Sequence, residues 1–597
     1  GINTGGSEKS SMVAPIYTED IELMRQKIEE VRKTSPIHGI AHCPIEFAEA
    51  LKVPITPIVE KPTAGYFEGM PVFATIDKGG NWPQKTKLIP TPVQTGQRRK
   101  KAFIDPPYER LTAPAMLRKQ GGSDIDPLSL SFRKEKGRRM YFGLDLCSPD
   151  LWKGIFTKYF DGFEYRILTL EEAINGIPHL GNFHGIALDT CAGHPFAQYH
   201  YTRGDLIIRD SSHTNVSPFV LGTYPSPDMF VDQTTPGLWV HPDLQTAIYM
   251  TFYHAKLGLV TPAYFLYCLK DELRPLERVA KGYTRGFPMG SIHHLIFCRM
   301  VMGLVISTIE KGVDHDICVT ANPYSSDWTR MFSILSSFGN NFWSHDIDGW
   351  DINFFVQKFC PGFLYAIHHF LRIPLHSFEY NCFTTVTYST LYGRYVIRTL
   401  IIIRINMPSG AYVTTIFNSM ANSVKHRRIW KQVSNEPFDE HNAMKVGGDD
   451  SVLSTDNSSK DIFNGLVVSK LAKEIFNHTH TSSTKGEVTL PFDEPDSTVF
   501  FKRPFKLTSG VALAPLDPIT LESMPQWIMK PKNGMSYNEQ FKQNCHNALH
   551  EWALHPKEQF EKHLSILNGF LAEFGPTFLY PQSYEERMAL LTRTVSQ

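Results

Sequence analysis

Two stretches carry the main signal: Asp346-Ile347-Asp348-Gly349-Trp350-Asp351 and, further along the chain, Val446-Gly447-Gly448-Asp449-Asp450. Aromatic and Asn residues from Phe338 to Ser344 precede the first, and apolar Val446 precedes the second. Each acidic cluster therefore falls where a buried strand runs into a turn. Carboxylates packed together repel one another, and burying them unpaired costs on the order of several kcal/mol each. A pair of divalent cations removes that cost. Two metals roughly 4 Å apart can activate an attacking hydroxyl and carry the charge of a transferring phosphoryl group. Taken alone, Asp449-Asp450 also reads as a plain acidic turn after two glycines.

Outward from these clusters, a chain of 597 residues exceeds what one simple core holds, so three or more lobes are expected. With 42% hydrophobic and 20% charged residues it is globular rather than disordered. Sixty Lys and Arg balance sixty Asp and Glu, so net charge neither predicts nor excludes a nucleic-acid partner. The nine cysteines show no Cys-x-x-Cys spacing, which argues against a zinc site or a disulfide scaffold and fits a reducing compartment. The apolar runs Leu295 to Ser307 and Leu400 to Met407 are short and contain Arg299 and Arg404, so no transmembrane segment is expected.

Basic residues recur in three places. Lys85 to Lys101 and Arg133 to Arg139 are loop-like runs that suit phosphate contact or a solvated surface equally. In Lys270-Asp271-Glu272-Leu273-Arg274, followed by Arg278, Lys281 and Arg285, the basic spacing of four, three and four fits one helix face; Pro275 and Gly282 fit an extended arm. Arginine forks there could hold a triphosphate. Between the acidic clusters, Pro408-Ser409-Gly410 makes a flexible turn. Thr414, Asn418 and Asn422 then recur every four residues, a polar face on an otherwise apolar helix, for which a sugar hydroxyl is one partner. Thr169 to Asn175 reads as a helix start capped by Thr169, and Met535 to Leu567 as helical with a break near Pro556.

In order and spacing these pieces resemble the RNA-dependent RNA polymerase of picornavirus-like positive-strand RNA viruses. Asp346 and Asp351 match the first palm motif; Ser409, Gly410, Thr414 and Asn418 the second; Gly448-Asp449-Asp450 the third. Arg274, Arg278 and Arg285 match the basic fingers motif. Thr190 to Pro195, with Thr190 and Gly193, resembles the template-entrance loop, and Phe500-Phe501-Lys502-Arg503 the primer-grip hairpin. Seven motifs in one order make coincidence a poor explanation.

The resemblance implies an α+β closed right hand with an antiparallel palm sheet: an N-terminal extension and fingers over 1–300, palm over 301–353, fingers again over 354–404, palm over 405–503 and thumb over 504–597. It implies magnesium, with manganese as a substitute, held by Asp346, Asp449 and Asp450. Arg274, Arg278 and Arg285 are then expected around the NTP phosphates, and Asp351, Thr414 and Asn418 around the ribose 2′-OH. Lys485 is the expected proton donor to pyrophosphate. Thr190, Gly193, Lys502 and Arg503 are expected to meet RNA. Implied partners are template and primer RNA, NTPs, a small protein primer and other viral replication proteins, in the host cytoplasm at membrane-associated replication complexes. A non-catalytic RNA-binding scaffold is the rival reading from another class, and a reverse transcriptase, which favours an aromatic residue at the position of Asp351, a lesser one. Two departures stand out. Gly447 stands where relatives carry Tyr, so an aromatic wall near the primer end is expected to be missing; Cys191, Ala192 and His194 alter the template loop. Finally, Gly1 and Gln597 resemble ends made by a protease that cuts between Gln and Gly, and Gly1 is expected to pack inside the fingers.

Overall fold

The structure, a computed structural model, describes residues 60–62, 65–76, 85–98, 108, 111–116, 126–134, 146–209, 238–256, 258, 260–531 and 534–596. Gly1, the amphipathic stretch Ile21 to Val31, the end of the first basic run from Arg99 to Lys101 and the second from Glu135 to Arg139 lie outside these residues.

A four-stranded sheet forms the centre, in the order Asn442–Gly447, Asp450–Thr455, Asn341–Ile347, His480–Ser482. All its pairings are antiparallel, with Gly447 opposite Asp450 and Ser344 opposite Val452. Phe342, Trp343, Val446, Val452 and Leu453 are buried, so the strands are held on both faces.

Against this sheet lies the helix Thr414–Val433, buried along most of its length despite many polar residues. Each such residue needs a partner inside the protein. Arg427 and Ser423 both donate to Asp316, at 2.8 Å each. Lys425, without exposed surface, sits 2.7 Å from the His480 ring nitrogen Nε2. The polar positions thus fix the helix in one rotation over the sheet.

A six-stranded sheet joins strands from distant parts of the chain: Glu60–Pro62, Ala74–Ile76, Leu400–Ile403, Arg394–Ile397, Tyr264–Leu269 and Gly286–Gly290, in that order. Tyr264, Leu266 and Cys268 pack on one face, and Phe265 and Tyr267 on the other. Both faces are apolar, which is why the run is continuous in sequence rather than alternating.

Packed against the helices Pro242–Lys256, Leu170–Asn175 and Phe378–Leu391 runs the helix Ile292–Ile309, long and apolar enough to cross a membrane, with 83% of it buried inside the protein. Arg299 within it donates to the carbonyl oxygens of Ala173, at 2.7 Å, and His184. The predicted cap at Thr169 is present as a complete capping box with Glu172, starting the helix Leu170–Asn175.

The C-terminal helices Tyr537–Trp552 and Lys557–Leu571 flank Pro556, as the sequence predicts, and pack around Trp552, Phe541 and Phe560. They connect back to the N-terminal segment. Trp527–Met529 pairs with Leu88–Pro90, and the Trp527 indole donates to the Thr112 carbonyl oxygen at 2.9 Å. Thr86 and the Lys87 amide both donate to Asp271, at 2.8 and 2.7 Å, linking that segment to the basic motif.

Candidate active site

Strand pairing explains how distant carboxylates meet. Asp346 ends one central strand; Asp449 and Asp450 sit at the turn between its neighbour and the edge strand. The turn needs Gly448, whose φ of +61° is a left-handed conformation that side chains seldom adopt. From the buried helix, the Ser419 hydroxyl accepts from the Gly448 amide at 2.9 Å. The Asn422 amide donates to the Gly448 and Asp450 carbonyl oxygens, at 3.2 Å each. Asn422, whose register suggests a sugar contact, thus faces the acidic turn instead.

Electrostatics couple the three aspartates. Burial raises the Asp346 carboxyl above its ordinary range; the Lys485 ammonium opposes this, Asp449 adds to it, and Lys502 opposes it again. Burial likewise raises Asp449. Asp450 is pushed up to about 7, first by burial and then by Asp449 and Asp346, against the pull of Lys502 and the Phe501 amide. Carboxyl groups raised chiefly by burial, and at Asp346 and Asp450 also by neighbouring carboxylates, suit a cation, whose charge would relieve all three. This donor set fits magnesium, a hard ion that takes oxygen ligands. Among the described residues, ligand atoms of three residues lie within 4.8 Å of one another only at Glu436, Glu440 and His441, at the far end of the strand that leads to Gly447. The aspartates are spread wider.

A cavity of about 380 Å³ opens beside Asp449, within the range of small-ligand sites. Asp351, Ser409 and Trp350 line its central side, and Arg285, Lys270 and Lys134 the opposite one. Lys134 and Lys270 are site residues not singled out by sequence reasoning. The signal for Lys134 was its place in the Arg133 to Arg139 run; its ammonium is now disfavoured by burial and by Arg274, Arg278 and Arg285 nearby. An adjoining cavity of about 370 Å³ shares Lys134 and contains Arg278, stacked 5.7 Å from the Tyr283 ring.

The basic arm follows neither simple picture. Leu273–Pro275 is a strand, Leu276–Ala280 a short helix, and Gly282 turns the chain toward Gly286–Gly290. Arg274 therefore lines neither cavity, and lies 3.6 Å from Glu272. Arg285 forks onto the same carboxylate at 2.6 and 2.5 Å.

Other predicted positions have specific neighbours. Asn418 accepts from the Trp350 indole at 2.7 Å, and Thr414 donates to the Pro408 carbonyl oxygen at 2.5 Å. Gly410 lies against Pro288, whose carbonyl oxygen would be 2.0 Å from a Cβ, so only glycine fits. Thr190 is exposed and Gly193 presses on Gly290 and Ser291. His194 is buried and pairs with Gln198 at 2.8 Å, so it belongs to the loop's core. Lys485, at φ +64°, caps a turn after His480–Ser482 near Asp346.

Two expectations about the grip hairpin change. Arg503 is tied bidentately to Glu551, at 2.9 Å on each arm, and donates to the Ala514 carbonyl oxygen. It holds the hairpin to the C-terminal helices rather than offering an open fork to RNA. Nor is the space beside Gly447 bare: a Cβ there would lie 2.1 Å from Cζ of Phe501, so an aromatic ring already fills it.

The fold is similar to that of the Sicinivirus 3Dpol RNA dependent RNA polymerase, with a TM-score of 0.67 at 16% identity, covering 87% of this chain and 98% of that one. Among sequences, the replicase polyprotein of cricket paralysis virus is 26% identical over 328 residues, 51% of this chain and 18% of that protein. The genome polyprotein of human parechovirus 2 is 26% identical over 510 residues, 82% of this chain and 20% of that protein. The RNA1 polyprotein of tomato ringspot virus is 24% identical over 506 residues, 80% of this chain and 21% of that protein. This chain thus spans about a fifth of the length of the curated relatives it matches. The sequence model described as viral RNA-dependent RNA polymerase matches residues 229–570, more than half of the chain, and the chain belongs to that family.

Proposed function

We propose that this chain copies RNA, transferring a nucleotide from an NTP to an RNA 3′-OH with release of pyrophosphate. The observation that carries this reading is the placing of Asp449, coupled electrostatically to Asp450 and Asp346, in a cavity also lined by Arg285, Lys270 and Lys134. Asp346, Asp449 and Asp450 would hold magnesium, or manganese in its place. Bound there, the metal supplies a lowered pKa at the attacking hydroxyl and charge neutralisation at the phosphates.

The chain's own residues do the rest. Arg285, Lys270 and Lys134 draw the triphosphate into the cavity opposite the aspartates. Arg278 receives it from the adjoining cavity. Asp351 and Asn418 address the ribose, Asn418 through an oxygen already aligned by Trp350. Ser409 and Gly410 shape the floor, and Thr414 fixes their turn through Pro408. Lys485 gives a proton to, or neutralises, the departing pyrophosphate. Lys502 contacts primer phosphate, and Thr190 and Gly193 border the incoming template. A small protein primer, other viral replication proteins, and work at membrane-associated complexes in the host cytoplasm complete the reading.

Extension of a short primer on an RNA template tests it, with NTPs, with dNTPs and with chelator. Extension with NTPs and divalent metal alone is the expected result. Extension with dNTPs preferred would favour a reverse transcriptase, and RNA binding without extension under any divalent ion would favour a scaffold.

A further inference from the structure

Glycines from three distant parts of the chain meet backbone to backbone at the end of the strand Gly286–Gly290. A Cβ at Gly193 would lie 2.7 Å from the Gly290 carbonyl oxygen and 2.7 Å from the Ser291 Cα. The Gly290 amide in turn donates to the Gly410 carbonyl oxygen at 3.3 Å, and a Cβ at Gly410 would lie 2.0 Å from the Pro288 carbonyl oxygen. Backbones in direct contact have no rotamers with which to absorb a shift, so a displacement of one is passed to the next. Ser291 fastens the same place again. Its hydroxyl is fully buried and donates to the His194 carbonyl oxygen, and the Ile292 amide donates to the Ala192 carbonyl oxygen at 2.9 Å.

The two parts joined in this way have different tasks. Ser409, next to Gly410, lines the nucleotide cavity together with Pro288 and Asp351. Thr190 and Gly193 border the incoming template in the proposed function. Neither Gly290 nor Ser291 lines the cavity, so both act on it only through their neighbours.

We infer that Gly290 and Ser291 are positioning residues for fidelity: they fix the gap between the template loop and the floor of the nucleotide cavity, and that gap gauges the width of the new base pair. A template base held by one support and a ribose held by another measure a pair only if the supports do not move apart. A mismatched pair has the wrong width and displaces the nucleotide by on the order of 1 Å, which slows the chemistry about a hundredfold. Supports free to follow the mismatch would give that discrimination up. The inference rests on the polymerase reading above.

The test uses the full chain on a primer–template and compares kcat/KM for the matched NTP with kcat/KM for a mismatched one. Ser291→Ala adds no volume and removes the tie to His194. It should lower the matched-to-mismatched ratio about tenfold, chiefly through faster mismatch addition, with RNA affinity within about twofold of the parent. Gly290→Ala would place a Cβ 3.3 Å from the Gly410 carbonyl oxygen, close enough to shift that turn slightly. It should lower the ratio by a similar factor and raise KM for the matched NTP about threefold. Because both changes act on one gap, the double variant should fall no more than about twofold below the worse single variant, whereas losses at independent sites multiply. Ser291→Ala keeps the test open should Gly290→Ala not fold. A Ser291→Ala chain that melts lower but slows matched and mismatched addition alike would overturn the inference, as would multiplied losses in the double variant. If the parent chain itself extends no primer, the polymerase reading fails; if it extends and the Ser291→Ala ratio stays parental, this inference alone does.

Discussion

The two walls of the cavity solve the problem of buried charge in opposite ways. On the central sheet, Asp346 on one strand and Asp449 and Asp450 at the neighbouring turn keep their carboxyl groups raised, Asp450 to about 7. On the other wall, Arg285 is already satisfied by Glu272, whose carboxyl is held low by the Arg285 fork even though burial acts to raise it. The acidic wall is incomplete without an added cation, whereas the basic wall is complete without ligand and must reorganise to take one. Affinity for metal should therefore be set by pH and proximity, and affinity for nucleotide by how readily Arg285 leaves or shares its glutamate.

Removing a carboxylate should break this contrast most sharply. Asp346→Asn or Asp449→Asn should reduce single-turnover nucleotide addition by at least about a thousandfold, as several kcal/mol of charge stabilisation disappear, with RNA affinity in gel shifts unchanged. Near-parental synthesis by either variant would remove the basis for the acidic wall's role. Next in size, Lys485→Leu should slow the chemical step about a hundredfold at saturating NTP. An unchanged chemical step would leave Lys485 as a surface residue.

On the basic wall the expected losses are smaller. Arg285→Ala should raise the KM for NTP about thirtyfold and lower kcat less, the scale of a lost charge-assisted fork. If KM holds and only kcat falls, Arg285 acts on the transition state instead. Asn418→Ala should cost about tenfold in discrimination between NTP and dNTP, because the ribose loses one aligned acceptor. Equal discrimination in parent and variant would count against it.

The smallest effect concerns stability. Asp450 has an ordinary value of 3.8 and is raised to about 7 in the folded chain. Between those values the folded protein keeps a proton that the unfolded chain has released, so this group's contribution to stability falls as pH rises through the window. Chelated protein should melt progressively lower from mildly acidic to neutral pH on this account. Magnesium should raise Tm more at neutral than at acidic pH, since its ligands must be deprotonated. Asp450→Asn should flatten both trends, and a metal shift independent of pH in the parent would show that Asp450 is not a titrating ligand.

Much of this site was legible because its acidic parts are local in sequence. Asp346 and Asp351 lie at the end of one strand and in the turn after it, and Asp449 and Asp450 are adjacent, so each acidic cluster is visible locally, although their meeting depends on strand pairing. Helix capping at Thr169 and the break at Pro556 were legible for the same reason, each decided within a few residues. What sequence could not supply was pairing at a distance. Arg285 satisfied by Glu272, Arg503 by Glu551, and the ring of Phe501 over Gly447 are all contacts between residues that no local pattern links. Asn422 shows the limit most clearly. Its four-residue register placed it correctly on the helix face of Asn418, but only tertiary packing decides that one faces Trp350 and the other the Gly448 turn.

The pairing of Leu88–Pro90 with Trp527–Met529 has a topological consequence. Through it the N-terminal segment bridges the basic arm and the C-terminal helices, and Arg503 with Glu551 joins those helices to the central sheet. Among the described residues these contacts make a continuous path from the basic arm to the C-terminal helices, closed in part by backbone hydrogen bonds. If RNA passes inside that path, as the proposed function requires, it is threaded by a free end, and a covalently circular RNA would enter only after those backbone pairs came apart.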